Sequence, residues 1–342
     1  MERLYKLWKN SAFRSYFAIA GSILLGVAII AFCVTSAINN NHTAHTAVVT
    51  TRDIAAEHNN KVDELAEKNN QFLKNPKYYT ETEPAPSGFK LTVIDVGQGL
   101  SCLIECDGYR MLYDGGDRDT SSFLVSYITK TKGISYLDYV VASHYHSDHI
   151  AGLIGILKTT KVGCVMGAPY INDTKTYLSF ESAAKLKGGI YYPTAGEIFS
   201  LGSAQCEVVS PQPNHPFNSN DDEEDENRMS VGLRITYGDT SYLLMGDATA
   251  DEEEESVDAG YIRPTDVLIV NHHGSASSTS EKFVQCVQPQ ISVISCGLEN
   301  EYGHPADIVI SRLEGSLVYR TDYDGTIEIV SDGVNIDVYT EK

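Results

Sequence analysis

Four ligand-type side chains crowd six consecutive positions, His144, His146, Asp148 and His149, in the segment SHYHSDHIAG. An apolar run, YLDYVVAS, leads into them, and a second, IAGLIGILKTT, leads away. The first reads as a buried strand and the second as a helix starting just after the histidines. A turn between the two points three imidazoles and a carboxylate into one small volume. Donors of these two kinds suit zinc, manganese or iron. A merely solvated loop fits poorly, because the cluster stands at the exit of a buried strand.

Three further segments repeat the arrangement. His272 and His273 end the run VLIVN, Asp247 follows YLLM, and Asp114 follows MLY. Singly, each is an ordinary polar residue. Together they mark the C-terminal ends of strands, where α/β sheets build their sites. A carboxylate such as Asp247 is suited to bridge two metals. The remainder of 89–342 alternates in the same way. FKLTVIDVG, LSCLIEC and YRMLYDGG read as strands joined by glycine turns, and VGLRITYG with TSYLLMGD as a hairpin across Gly-Asp. TSSFLVSYITKTKG, ESAAKLKGG, TADEEEESVDAG, SEKFVQCV and ADIVISRLEG read as helices. Strands in blocks with helices between them predict an α/β fold of mixed, helix-covered sheets. The six cysteines of this region sit within such patterns and are expected as buried thiols, although an extracytoplasmic site permits bridges.

The N-terminal portion has a different character. Residues 1–15 form a basic tail, with Arg3, Lys6, Lys9 and Arg14 against Glu2. Residues 16–38 are 23 positions without a charge, long enough to cross a bilayer as a helix. The basic flank predicts a single-pass anchor with a cytoplasmic N-terminus and an extracytoplasmic domain. A signal peptide cleaved near Thr35 and Ala37 is the alternative, which would leave the domain secreted. Residues 39–88 read as a polar stalk ending at Pro84, Pro86 and Gly88. The chain has 26 basic and 46 acidic residues, net −20, with the excess acid after residue 88. A domain so charged repels long polyanions, which argues against a basic nucleic-acid-binding module.

SHYHSDH resembles the HxHxDH signature of the metallo-β-lactamase fold, LYDGG its strand-end Asp motif, and GDA its bridging Asp. DVGQG, NRMSVGLRITYG, LLMGDA, DVLIVNHHGSASSTS, NEYGHP and YRTDYDGTIEIVSDG follow in order across 91–333. Together they are similar to the hydrolase domain of the ComEC family of DNA-uptake proteins and its stand-alone relatives. The resemblance implies an αββα sandwich with two divalent ions, Zn2+ or Mn2+, at one edge. It implies that His144 and His146 hold one ion, Asp148 and His149 the other, and that Asp247 bridges them. One of His272 and His273 completes the second site. His273 is taken as the ligand and His272 as a phosphate-binding or proton-relay group, with the reverse left open. Many members of the superfamily add a third histidine to the first metal. Here that interval holds only His215, in a polar loop, and the family pattern instead supplies Asn227 and Ser230, taken as substrate-binding. Asp95, Gln98 and Asp114 are implied as structural residues near the site. One departure is Leu100, which replaces an acid of DVGQGDA at the expected site edge.

The expected chemistry is metal-assisted hydrolysis, with bound water brought to a pKa of about 7. Asp148 is expected to orient the hydroxide, and His272 or His304 to protonate the leaving group. Ser275 and Ser278 are expected at a substrate phosphate or as helix caps. The expected substrate is a phosphodiester, either nucleic acid or a small or wall-linked diester. The acidic run 221–226 favours the latter if it flanks the entrance. A lactone or β-lactam hydrolase and a non-catalytic metal-binding surface protein are the rival readings.

Overall fold

A computed structural model describes residues 88–213 and 223–342, with the side chains of 223–225 left aside. The expected basic tail, membrane anchor, polar stalk, His215 and most of the acidic run lie outside the described residues. Among those described, no helix is long and apolar enough to cross a membrane.

The first half of the domain runs β1 (Phe89–Val93), β2 (Cys102–Cys106), β3 (Tyr109–Tyr113), α1 (Ser121–Ser126), β4 (Tyr136–Val141), α2 (Ser147–Thr159), β5 (Lys161–Met166) and α3 (Lys175–Lys185). The second half runs β6 (Ile198–Leu201), β7 (Ala204–Ser210), α4 (Glu223–Arg228), β8 (Gly232–Tyr237), β9 (Thr240–Leu244), α5 (Ala250–Asp258), β10 (Val267–Ile269), α6 (Glu281–Val287), β11 (Ile291–Ile294), α7 (Asp307–Arg312) and β12 (Leu317–Arg320). A short helix, α8 (Thr321–Asp324), then returns the chain to the first sheet through β13 (Ile327–Ser331) and β14 (Ile336–Thr340). The order in one sheet is β14-β13-β1-β2-β3-β4-β5, and in the other β12-β11-β10-β9-β8-β7-β6. Two mixed sheets with flanking helices meet the α/β expectation.

Strand chemistry explains the layering. β4, parallel to both neighbours, and β9, at the mixed junction of the second sheet, are buried almost throughout, as strands covered on both faces must be. The inner faces of the two sheets share one apolar core, in which Phe89 of the first stacks on Tyr242 of the second at 4.3 Å. The Tyr113 hydroxyl also crosses the sandwich, donating to the Val231 carbonyl at 2.7 Å. A second core lies behind the second sheet, where Leu268 and Val270 meet Phe283, Val287 and Val309. The six described cysteines of the domain are free thiols, five of them buried.

One contact brings the start of α2 against the end of β3. The Gly115 amide donates to the His149 carbonyl at 2.7 Å, and the Gly152 amide to the Gly116 carbonyl at 3.2 Å. A Cβ on Gly152 would stand 1.8 Å from the Gly115 carbonyl oxygen. Only glycine permits this backbone-on-backbone approach. We expect Gly152→Ala to destabilise the fold by about 3 kcal/mol, the upper end of ordinary overpacking costs. Denaturant unfolding with an unchanged midpoint would show that the approach is not required.

Candidate metal centre

Every strong donor stands just beyond a strand. Asp114 follows β3, the stretch from Ser143 to His149 follows β4, Asp247 follows β9, and the stretch from Asn271 to Gly274 follows β10. Since β3 pairs parallel with β4, and β9 with β10, each sheet delivers two such ends to the same side. α2 begins at Ser147, three residues earlier than the sequence placed it, so Asp148 and His149 lie in its first turn. The apolar run after His149 marked the helix body. The polar first turn, which leaves its amides free, concealed the true start.

His149 is the centre of the arrangement. Its Nδ1 lies 2.7 Å from Asp114 Oδ2. Asp114 is wholly buried and also accepts from the Ser143 amide at 2.8 Å and the Ser143 hydroxyl at 2.7 Å. This holds the proton on Nδ1 and turns Nε2 inward. From His149 Nε2, Asp247 Oδ1 and His273 Nε2 each lie 3.2 Å away. His273 Nε2 lies 3.3 Å from Asp148 Oδ2 and 3.4 Å from Asp247 Oδ2. His273 Nδ1 faces the Ser295 carbonyl at 3.0 Å, so its Nε2 is likewise the free donor. His272 stands farther out, 3.6 Å from Asp247 Oδ2, with Nδ1 3.4 Å from the Ser277 hydroxyl. The geometry therefore groups His273, not His272, with Asp148 and His149.

The residues present fit a metal. His144, His149 and Asp247 form a second close group of ligand atoms. The Nε2 atoms of His144 and His146 and Oδ1 of Asp247 are buried without a hydrogen-bond partner. Buried polar atoms are normally paired, and three unpaired donors on one edge are what a cation satisfies. Backbone strain points the same way. Asp114, His272 and His273 have φ of 58°, 50° and 54°, a left-handed conformation that costs about 1–3 kcal/mol per non-glycine residue. Buried Glu253 clamps the strained turn, accepting from the Asn271 side chain at 2.7 Å and from the Thr279 and Ser280 amides at 2.5 and 2.8 Å.

Charges within the group are strongly coupled. Burial alone favours the neutral form of His149, but Asp247, Asp114 and Asp148 outweigh it and hold its pKa well above the usual value. Burial likewise opposes a charge on His273, yet Asp247 and Asp148 raise its pKa to about 10. Burial pushes the Asp247 carboxyl up, and His149, His273 and His272 drive it well below the usual carboxylate range. Burial, followed by His149 and His146, keeps His144 neutral. Burial, followed by His273 and His272, lowers His304 to about 4.

A cleft of about 770 Å³ opens over the group, lined by Gln98, Asp148, Asn227, Asp247, His272, Ser275, Ser277, Tyr302 and His304 among others. Several expected site residues lie elsewhere. Asp95 shapes its own turn, accepting from the Gly97 amide, and does not line the cleft. Ser278 is buried and donates to the Asn271 and Ser275 carbonyls, so it braces the turn instead of facing substrate. Ser230 accepts from the Asp247 amide at 3.3 Å and supports that loop from behind. Leu100 is buried in the core beneath the site, so the exchanged acid is not at the cleft edge. His304 is neutral near pH 7, which removes it as a standing acid; it can act only after gaining a proton. Glu253 and Glu226 were missed because both sit in runs of acids that read as solvated.

A helix-flanked sandwich with histidine and aspartate donors at one edge defines a metal-dependent hydrolase class. Residues 94–298 match the metallo-beta-lactamase superfamily, and the chain belongs to it. It is homologous to the ComEC-like competence proteins. It is 30% identical over 260 residues to ComE operon protein 3 of Bacillus subtilis (strain 168), covering 70% of this chain and 32% of that protein. It is 29% identical over 256 residues to competence protein ComA of Neisseria gonorrhoeae, covering 74% of this chain and 33% of that one. The chain thus spans about a third of the length of these relatives. Among solved structures, it is similar to the metallo-beta-lactamase fold protein YhfI from Bacillus subtilis, with 16% identity and a TM-score of 0.48, over 74% of this chain and 100% of that one.

Metal and proton compete for the same nitrogens, so we expect metal affinity to rise steadily from pH 6 to about pH 9. In the metal-free chain the raised pKa of His273 stabilises the fold fully below the unfolded value of about 6.5. That contribution fades as pH climbs through about 10. Thermal melting of chelator-treated chain should therefore weaken across this window. Chelator competition that shows no pH dependence would contradict the assignment.

Proposed function

We propose that this domain is a two-metal phosphodiesterase, tethered at the outer face of a cell membrane by the apolar segment 16–38. The observation that carries the reading is the convergence of the Nε2 atoms of His149 and His273 on the carboxylates of Asp148 and Asp247. In this reading His144 and His146 hold one divalent ion, Zn2+ or Mn2+, Asp148, His149 and His273 hold the other, and Asp247 lies between. Ions so placed supply Lewis acidity and lower the pKa of water to about 7. The chain's own groups do the rest. Ser275 and Ser277, on the cleft wall beside His272, offer hydroxyls to phosphate oxygens. His272, whose pKa is lowered by burial, and His304 are neutral and positioned to take up and return a proton at the leaving oxygen. The names of the homologues, competence proteins and a recombination protein, support a nucleic-acid diester as the first candidate. The net charge of −20 supports short or small diesters over long DNA.

The test is cleavage by the full chain in detergent, loaded with Mn2+ or Zn2+. DNA, a dinucleotide and a chromogenic diester are compared, with Asp247→Ala as control. We expect diester turnover that falls more than about 100-fold in the variant, beyond the usual loss for a supporting residue. Hydrolysis of lactones or lactams without diester cleavage would replace the reading with a carbonyl hydrolase. Two bound metals with no turnover of any of these would replace it with a metal-binding surface protein.

A further inference from the structure

The two halves of the metal centre are unequally furnished. One side has Asp148, His149 and His273 in a close group, with Asp247 within 3.2 Å of His149 and 3.4 Å of His273. On the other, His144 lies in a close group with Asp247 and the shared His149, and the His146 ring stands 4.6 Å from that of His144; in the two-metal reading His144, His146 and Asp247 serve this side. Divalent ions of this kind take four ligands or more, so that side is one donor short on the protein's part. The Nε2 atoms of both His144 and His146 are buried and unpaired, and His144 is wholly inaccessible.

A second carboxylate faces that side. Glu226, in α4, places Oε2 3.6 Å from His146 Nε2. The group is held from behind: the Tyr170 hydroxyl donates to Oε2 at 3.0 Å, and the Asn172 amide to Oε1 at 2.7 Å. The Tyr170 hydroxyl in turn accepts from the Tyr145 amide at 2.9 Å, the residue between the two histidines. The loop after β5 thereby ties Glu226 to the same backbone that presents His144 and His146. Carboxylates fixed by such hydrogen bonds are the usual partners of metals, and Glu226 also lines the cleft.

We infer that Glu226 is a ligand of the ion on the His144–His146 side, in addition to Asp247. This rests on the two-metal reading above. Two imidazoles with two carboxylates make a harder site than three imidazoles with one, and shift its preference from Zn2+ toward Mn2+. Tyr170 and Asn172 are positioning residues for that carboxylate.

The experiment is metal titration of the full chain in detergent, following Mn2+ and Zn2+ per chain and the absorption of bound Co2+. Wild type is compared with Glu226→Gln, Glu226→His and Tyr170→Phe. We expect two ions per wild-type chain. In E226Q one affinity should fall by about 100-fold or more, while the other stays within about threefold. E226H should restore two ions, with preference moved toward Zn2+; a role limited to bracing the loop would not be rescued by imidazole. Y170F should weaken the same site by about 10-fold to 100-fold, the cost of a lost supporting bond. Two ions with unchanged affinities in E226Q would overturn the inference and leave the two-metal reading standing. One ion in wild type, unaltered in E226Q, would overturn both.

Discussion

A carboxylate sealed from solvent, Asp114, anchors the imidazole at which the two sheets meet. Burying a charge is costly unless it is fully hydrogen-bonded. Asp114 is supplied with three donors, the Ser143 amide, its hydroxyl and His149 Nδ1. In exchange it settles which nitrogen of His149 turns inward. That choice decides whether the ring can share a cation with Asp247 and His273, which belong to the other sheet. The glycine contact between α2 and the turn after β3 lies at the same place, where the Gly115 amide, next to Asp114, donates to the carbonyl of His149 itself.

Much of this was legible in the residues. The histidine cluster, the strand-end aspartates and the alternation of strands and helices all rest on local patterns, and local patterns survive folding. What escaped depended on packing across the molecule. His272 and His273 are equivalent as neighbours in a sequence; the Ser295 carbonyl, more than twenty positions away, separates them. Ser278 stood among hydroxyls expected to face phosphate, but its hydroxyl donates to the buried Asn271 carbonyl. Glu253 and Glu226 lie in acidic runs whose pattern says surface. One clamps a strained turn and the other faces a histidine because the helices that carry them dock on the site. Leu100 was read as a change at the cleft, yet its side chain belongs to the core.

The strong acidity of the chain takes on a local meaning in this light. Asp114, Asp148 and Asp247 converge within one edge, and in the metal-free molecule His149 and His273 answer them by holding protons. A metal ion binding there would displace those protons from the same nitrogens. The site is thus prepared by its own carboxylates, and the imidazoles serve two partners in turn.

The pairing of His149 with His273 joins residues 124 positions apart. A chain emerging from the ribosome at about 5–20 residues per second exposes the first partner roughly 6–25 seconds before the second. During that interval β3, β4 and α2 can dock, and Asp114 can already orient His149. Nothing yet stands opposite. The nascent chain therefore carries His144, His146, Asp148 and His149 before Asp247 and His273 exist to complete the two ligand groups. Both ligand groups are complete only once the second sheet has closed on the first.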